Sequence, residues 1–198
     1  IAAASLYLKA NAETETAVGE KAATSSVLPI VTVFNTSQKL WLYQQSHSNE
    51  ISLQDFMIDE TDVVLKEECT FLKKFNITDQ DYYYRRRTSM VNDWVTSNYH
   101  GRFFSDAEGN LGSMNVSDLS ASDQSPFEVM KLVYAERNCS VFLVMPLEDD
   151  TQAGCELYVR NAAVSHGPTK GCKRNYDKLC NETFVLYHST CKNLRKSA

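Results

Sequence analysis

Cys139-Ser140-Val141, then Glu156-Leu157-Tyr158, then Cys172 set two cysteines and one carboxylate at fixed distances along the chain. The first two triplets open apolar, aromatic and β-branched runs, 140–145 and 156–160, which read as strands. In the second run, alternation puts Glu156 and Tyr158 on one face and Cys155 on the other.

Similar short segments precede them at intervals broken by turn residues. Lys39-Leu40-Trp41-Leu42-Tyr43 reads as the first strand, and further strands fall near 68–75, 82–90, 97–106, 111–117 and 127–135. The turns include Asp-Ala-Glu-Gly-Asn at 106–110 and Asp-Gln-Ser-Pro at 123–126. Eight strands in succession predict an all-β, antiparallel up-and-down barrel able to enclose one small ligand. Beyond the last strand, 168–180 carries Tyr176 and Leu179 at helical spacing, and 183–187 reads as a short extended segment. Residues 1–26 are rich in Ala, Glu, Thr and Ser, so 1–34 is expected to be an arm, with some helix, and 35–198 the barrel domain.

The net charge of -5 and a pI near 5.4 argue against a broad nucleic-acid surface. Six cysteines, Cys69, Cys139, Cys155, Cys172, Cys180 and Cys191, occur without a CxxC pair or histidines at zinc spacing, which favours disulfides over metal. Sequence alone allows any of the fifteen pairings. Glycosylation sequons at Asn35, Asn76, Asn115, Asn138 and Asn181 add to the indication of an oxidising secretory route. The longest apolar run, 27–34, is far below a membrane-spanning length, so a processed, soluble, extracellular monomer is expected. His47, His100, His166 and His188 share no spacing, and no nucleophile elbow, phosphate loop or paired-carboxylate motif occurs. Neither an enzyme nor a cofactor is expected.

The order Cys-x-aliphatic, loop, Glu-Leu-aromatic, longer loop, Cys resembles the biogenic-amine signature of tick salivary lipocalins of the histamine-binding type. The likeness spans about 36–191. It implies a lipocalin barrel with the carboxyl-terminal helix packed outside it. It also implies the bridges Cys69–Cys191 and Cys139–Cys172, which leaves Cys155 with Cys180. Alternation is compatible with that last pair, since Cys155 faces the side where the helix is expected. Ser140 stands where amine-binding members have Asp, and a hydroxyl supplies no charge for an ammonium. The resemblance implies a secreted protein that sequesters a small host mediator, either a biogenic amine or a lipid such as a fatty acid or leukotriene. The alternative it offers is a lipocalin that binds a host plasma protein, inhibiting complement through properdin or another component, or modulating immune cells.

A barrel that captures a cation needs inward carboxylates and aromatic walls. Glu156 matches the Glu of the signature, Tyr158 shares its face, and Trp41 and Tyr43 share a face of the first strand. Trp41 is read either as a ligand contact or as barrel-floor packing. Glu128, Glu136 and Asp106 are the carboxylates that could compensate for Ser140. In Tyr82-Tyr83-Tyr84-Arg85-Arg86-Arg87, alternation sends either Tyr82, Tyr84 and Arg86 or Tyr83, Arg85 and Arg87 inward. An inward Arg86 beside Tyr84 would suit an anionic headgroup, pair with Glu156, or, in the other register, belong to an exposed basic ridge.

Overall fold

The structure is a computed structural model that describes residues 27–52, 64–91, 93–106, 109–147 and 153–194. The expected arm at 1–26 lies outside the described residues. Among the described residues, ten strands form one antiparallel sheet: β1 (Leu40–Gln45), β2 (Glu50–Ser52), β3 (Val64–Ile77), β4 (Asp81–Met90), β5 (Asp93–Asp106), β6 (Gly109–Asp118), β7 (Glu128–Ala135), β8 (Cys139–Pro146), β9 (Gly154–Arg160) and β10 (Phe184–Val185). The eight expected strands are all present.

Closure depends on β1. It pairs with β9 from Leu40–Arg160 to Gln45–Glu156, and with β3 through Leu40–Leu72 and Trp41–Phe71, so β1 and β3 to β9 make a closed barrel. The short strands β2 and β10 extend β3 and β1 at its rim. Three residues are too few for alternation to register, which is why β2 escapes a reading of the sequence.

Two apolar layers hold the fold. Inside the barrel, Leu40, Leu42, Leu72, Tyr82, Tyr84, Met114, Phe142 and Tyr158 meet the short helix α1 (Pro29–Phe34), which opens with a proline. Phe34 of α1 is fully buried and stacks on Tyr82 at 4.7 Å and Phe142 at 5.2 Å. The segment assigned to the arm therefore includes six residues that close one end of the barrel. Its apolar run is too short to show helical periodicity, so the sequence groups it with the partly helical arm and does not show that it packs into the barrel.

Outside the barrel, Trp41, Phe71, Val141, Leu157 and Val159 are covered by helix α2 (Lys170–Leu179) and the carboxyl-terminal tail. Thr169 caps α2 by accepting from the Cys172 backbone N–H at 3.1 Å, and Cys172 and Tyr176 form its buried face. Disulfides Cys69–Cys191, Cys139–Cys172 and Cys155–Cys180 tie this layer to β3, β8 and β9. These sulfurs are bonded to one another, so the clusters they form with His188 and Glu136 offer no thiolate to a metal. Among the described residues no helix is long and apolar enough to cross a membrane.

Candidate functional site: an acidic chamber at the end opposite α1

Four of the six residues expected to touch a ligand converge. Glu156 and Tyr158 face inward from β9, and Tyr84 and Arg86 face inward from β4; Arg85 and Arg87 lie on the outer side, which settles the choice between the two registers. Tyr99 of β5, Phe127, and Glu128, the first residue of β7, complete the wall. The Tyr84 and Tyr99 rings lie 5.6 Å apart, and Tyr99 and Phe127 5.8 Å apart. About 10 Å³ lies open between these side chains, the space of roughly one water. Among the described residues, Phe34 of α1 packs with Tyr82, Phe103 and Phe142 in the interior beyond the chamber.

Trp41 and Tyr43 require a correction. Along β1 the inward residues are Leu40 and Leu42, while Trp41 and Tyr43 face the outer layer. Trp41 donates through Nε1 to Asn161 Oδ1 at 2.9 Å and packs on Phe71 and Tyr187, and Tyr43 stacks on Tyr187 at 5.8 Å. Neither ring borders the chamber.

Charge within the chamber is unbalanced. Its lining holds two carboxylates, Glu128 and Glu156, and one cation, Arg86. Glu156 is 6% exposed and accepts a hydrogen bond from the Tyr158 hydroxyl at 2.7 Å. Arg86 also reaches Glu67 at 3.4 Å. Burial works to lower the Arg86 pKa, but the fields of Glu156, Tyr158 and Glu67 outweigh it and hold the guanidinium above its ordinary value. Burial first, and then the field of Glu156, push Glu128 up to about 7, against the opposing pull of Arg86. The Tyr158 hydroxyl is held well above its ordinary range by burial and by Glu156, and the Tyr84 hydroxyl by burial and by Glu128. Gln45, directly across from Glu156 in the β1–β9 pairing, donates from Nε2 to the His47 and Ser48 carbonyls. Its Oε1 is buried with no hydrogen-bond partner among the described residues.

Of the compensating carboxylates, Glu128 is the one in the chamber. Glu136 accepts from the Tyr134 hydroxyl at 2.5 Å beside α2, and the Asp106 side chain lies outside what is described. Ser140 is buried toward the α1 end, where it shares a small space with Val33 and Arg160; it pairs with Tyr158 of the chamber wall across the β8–β9 ladder but is not itself among the lining residues. The sequon residues Asn35, Asn76, Asn138 and Asn181 are exposed, and Asn115 is half-buried in β6.

The position of Glu128 has a consequence for stability. The folded chain keeps its proton up to about pH 7, whereas the unfolded chain releases it near the ordinary value of 4.5. Unfolding between those limits releases a proton, so this group makes stability fall as pH rises from about 5 to about 7, by roughly 2 to 3 kcal/mol. Urea unfolding at pH 5 and pH 8 measures it. Glu128→Gln is expected to remove that part of the pH dependence; an unchanged slope would place the titration elsewhere.

Residues 30–193 match the family model for the tick histamine binding protein. Among solved structures the chain is similar to Japanin from Rhipicephalus appendiculatus bound to cholesterol, at 15% identity and a TM-score of 0.49, over 79% of this chain and 96% of that one. It is also similar to the siderocalin Ex-FABP, at 9% identity and a TM-score of 0.46, over 76% of this chain and 88% of that one. No curated protein sequence matches it.

Proposed function

The chain belongs to the tick histamine-binding protein family, whose members are ligand-binding lipocalins and not enzymes, and on that premise we propose that it is a secreted scavenger of a small cationic amine. The observation that carries this reading is the pairing of Glu128 with Glu156 around one chamber that holds a single cation. Glu128 supplies from β7 the second carboxylate that Ser140 does not supply from β8. An ammonium entering between them would meet Glu156 and the ring faces of Tyr84, Tyr99 and Phe127.

Entry has a protonic and a steric component. The cation favours the ionised form of Glu128, so binding below about pH 7 expels the proton that this carboxyl holds. The lining side chains must also move apart, since the open space is smaller than any amine. A lipid fits less well. Arg86 is already engaged by Glu67 and by the field of Glu156, and α1 with its aromatic partners occupies interior volume that a hydrocarbon chain would need.

Calorimetry with serotonin, whose single ammonium stays charged throughout, is the test, run at pH 6 and pH 8 in buffers of different ionisation enthalpy. The expected result is release of about one proton per amine at pH 6 and almost none at pH 8, with the release abolished by Glu128→Gln. Glu156→Gln is expected to weaken binding about tenfold or more. Absence of binding by serotonin and histamine alike, with a defined protein recovered from host plasma, would replace this reading with capture of a host protein, such as a complement component, on the outer surface. The packing of α1 into the interior is the observation that favours that second reading.

A further inference from the structure

The outer face of β1, β3 and β4 concentrates positive charge on an acidic protein. Lys73 of β3 lies directly opposite Arg85 of β4. Lys39 is one residue beyond the Leu40–Leu72 pair, which sets it across from Lys73 on the other side. Arg87 follows in the next row, opposite Phe71. Cations facing each other on neighbouring strands repel and destabilise the sheet. Burial, and then the charges of Arg87 and Lys73, lower the Lys39 pKa. Among the described residues none of these four cations is in an ion pair; the pairs that form use Arg86, His100, Arg102, Lys173 and His188. The Arg87 Nε is buried and has no hydrogen-bond partner there.

Aromatic rings lie between the cations. The Lys39 ammonium sits 4.1 Å from the Phe71 ring centre and 4.9 Å from that of Trp41, and the Arg87 guanidinium 5.0 Å from that of Trp94. At the edge of the row, Phe75 is 54% exposed, with Arg85 5.9 Å from its centre and Tyr83 beside it.

We propose that this face docks a sulfated polysaccharide chain, with Lys39, Lys73, Arg85 and Arg87 taking its sulfates and Phe75 and Tyr83 flanking its sugar rings. Unpaired, mutually repelling cations gain most from a shared polyanion, because binding removes the repulsion and releases the polyanion's counterions together. Exposed rings beside the cations suit the apolar faces of sugars. The shape of the partner follows from the net charge of -5. A planar anionic membrane would bring much of the acidic surface within a Debye length of about 8 Å, whereas a narrow chain meets only the basic row.

The experiment is retention on immobilised heparin, with calorimetry using a heparin-derived hexasaccharide near physiological ionic strength. Because the Asn35 and Asn76 acceptors border the face, secreted protein is used both as made and after enzymatic removal of N-glycans. Binding that weakens steeply with salt is expected, with at least about tenfold loss in the combined Lys39→Ala, Lys73→Ala, Arg85→Ala variant. That variant relieves repulsion, so its unfolding midpoint should equal or exceed that of the parent, which separates lost binding from lost fold. The combined Lys170→Ala, Arg174→Ala, Lys178→Ala variant of α2 removes the same charge elsewhere and should bind normally, while desulfated hexasaccharide and phosphatidylserine vesicles should not bind. Any one of three results would overturn the proposal: no retention in either glycan state, equal loss in the α2 variant, or vesicle binding without hexasaccharide binding.

Discussion

Arg86→Met will lower the unfolding free energy by about 3 kcal/mol at pH 8 and by clearly less at pH 5. Glu156 is nearly buried and Glu128 lies across the same chamber, so removing the one cation in the lining leaves two carboxylates facing each other. At pH 8 both must be charged or one must take up a proton against the bulk pH. At pH 5 Glu128 is already neutral, because its pKa has been pushed up to about 7. The Arg86 side chain is 29% exposed, so the expected loss sits at the low end of what breaking a buried pair costs. Adding Glu156→Gln should recover much of it, a non-additivity that a double-mutant cycle reads directly. A loss below about 1 kcal/mol, the same at both pH values, would mean that water and not Arg86 neutralises the chamber.

Removal of the Cys69–Cys191 bridge by paired serine substitution is expected to cost about 5 kcal/mol, against about 3.5 kcal/mol for Cys155–Cys180, on the chain-entropy account of cross-links. The first closes 122 residues and the second 25. The first also fixes Cys69 at a φ of 54°, a left-handed conformation unfavourable for a residue with a Cβ, where β3 shifts register against β4. Chemical unfolding of the two variants, with the remaining bridges intact, gives both values. The reverse order of losses would show that packing against the tail, and not loop closure, dominates this cross-link.

Much of the barrel was legible because its strands are short apolar and aromatic runs broken by turn residues, although a buried side alternates with a more open one only in parts of strands such as β4 and β7. Alternation put Glu156 and Tyr158 opposite Cys155 in β9, and the structure agrees. It failed for β1. There Leu40 and Leu42 are buried by the barrel and Trp41 by the tail, so both faces are apolar and neither announces the interior. Glu128 could be named but not aimed, because the run 127–135 carries apolar residues at both parities, Phe127, Val129 and Val133 on one and Met130, Leu132 and Tyr134 on the other, so neither face announces the interior. In β4 the pattern allowed two registers, and neighbouring strands, invisible in one sequence, chose between them. Pairing of the first two bridges came from family resemblance, since no spacing rule selects among six cysteines.

The seam where β1 meets β9, and the bond between Cys69 and Cys191, also impose an order on biosynthesis. As the chain leaves the ribosome, everything up to β8 can form only an open sheet with bare edges, because the strand that closes it is still to come. Over the same interval Cys69 waits as a free thiol while Cys139, Cys155, Cys172 and Cys180 emerge ahead of its partner, each a competitor for it. The expected consequence is that yield of the native protein depends on how long the open sheet is shielded and how readily early bridges are reshuffled. Expression in a reducing compartment should give an uncrosslinked chain prone to edge-to-edge association.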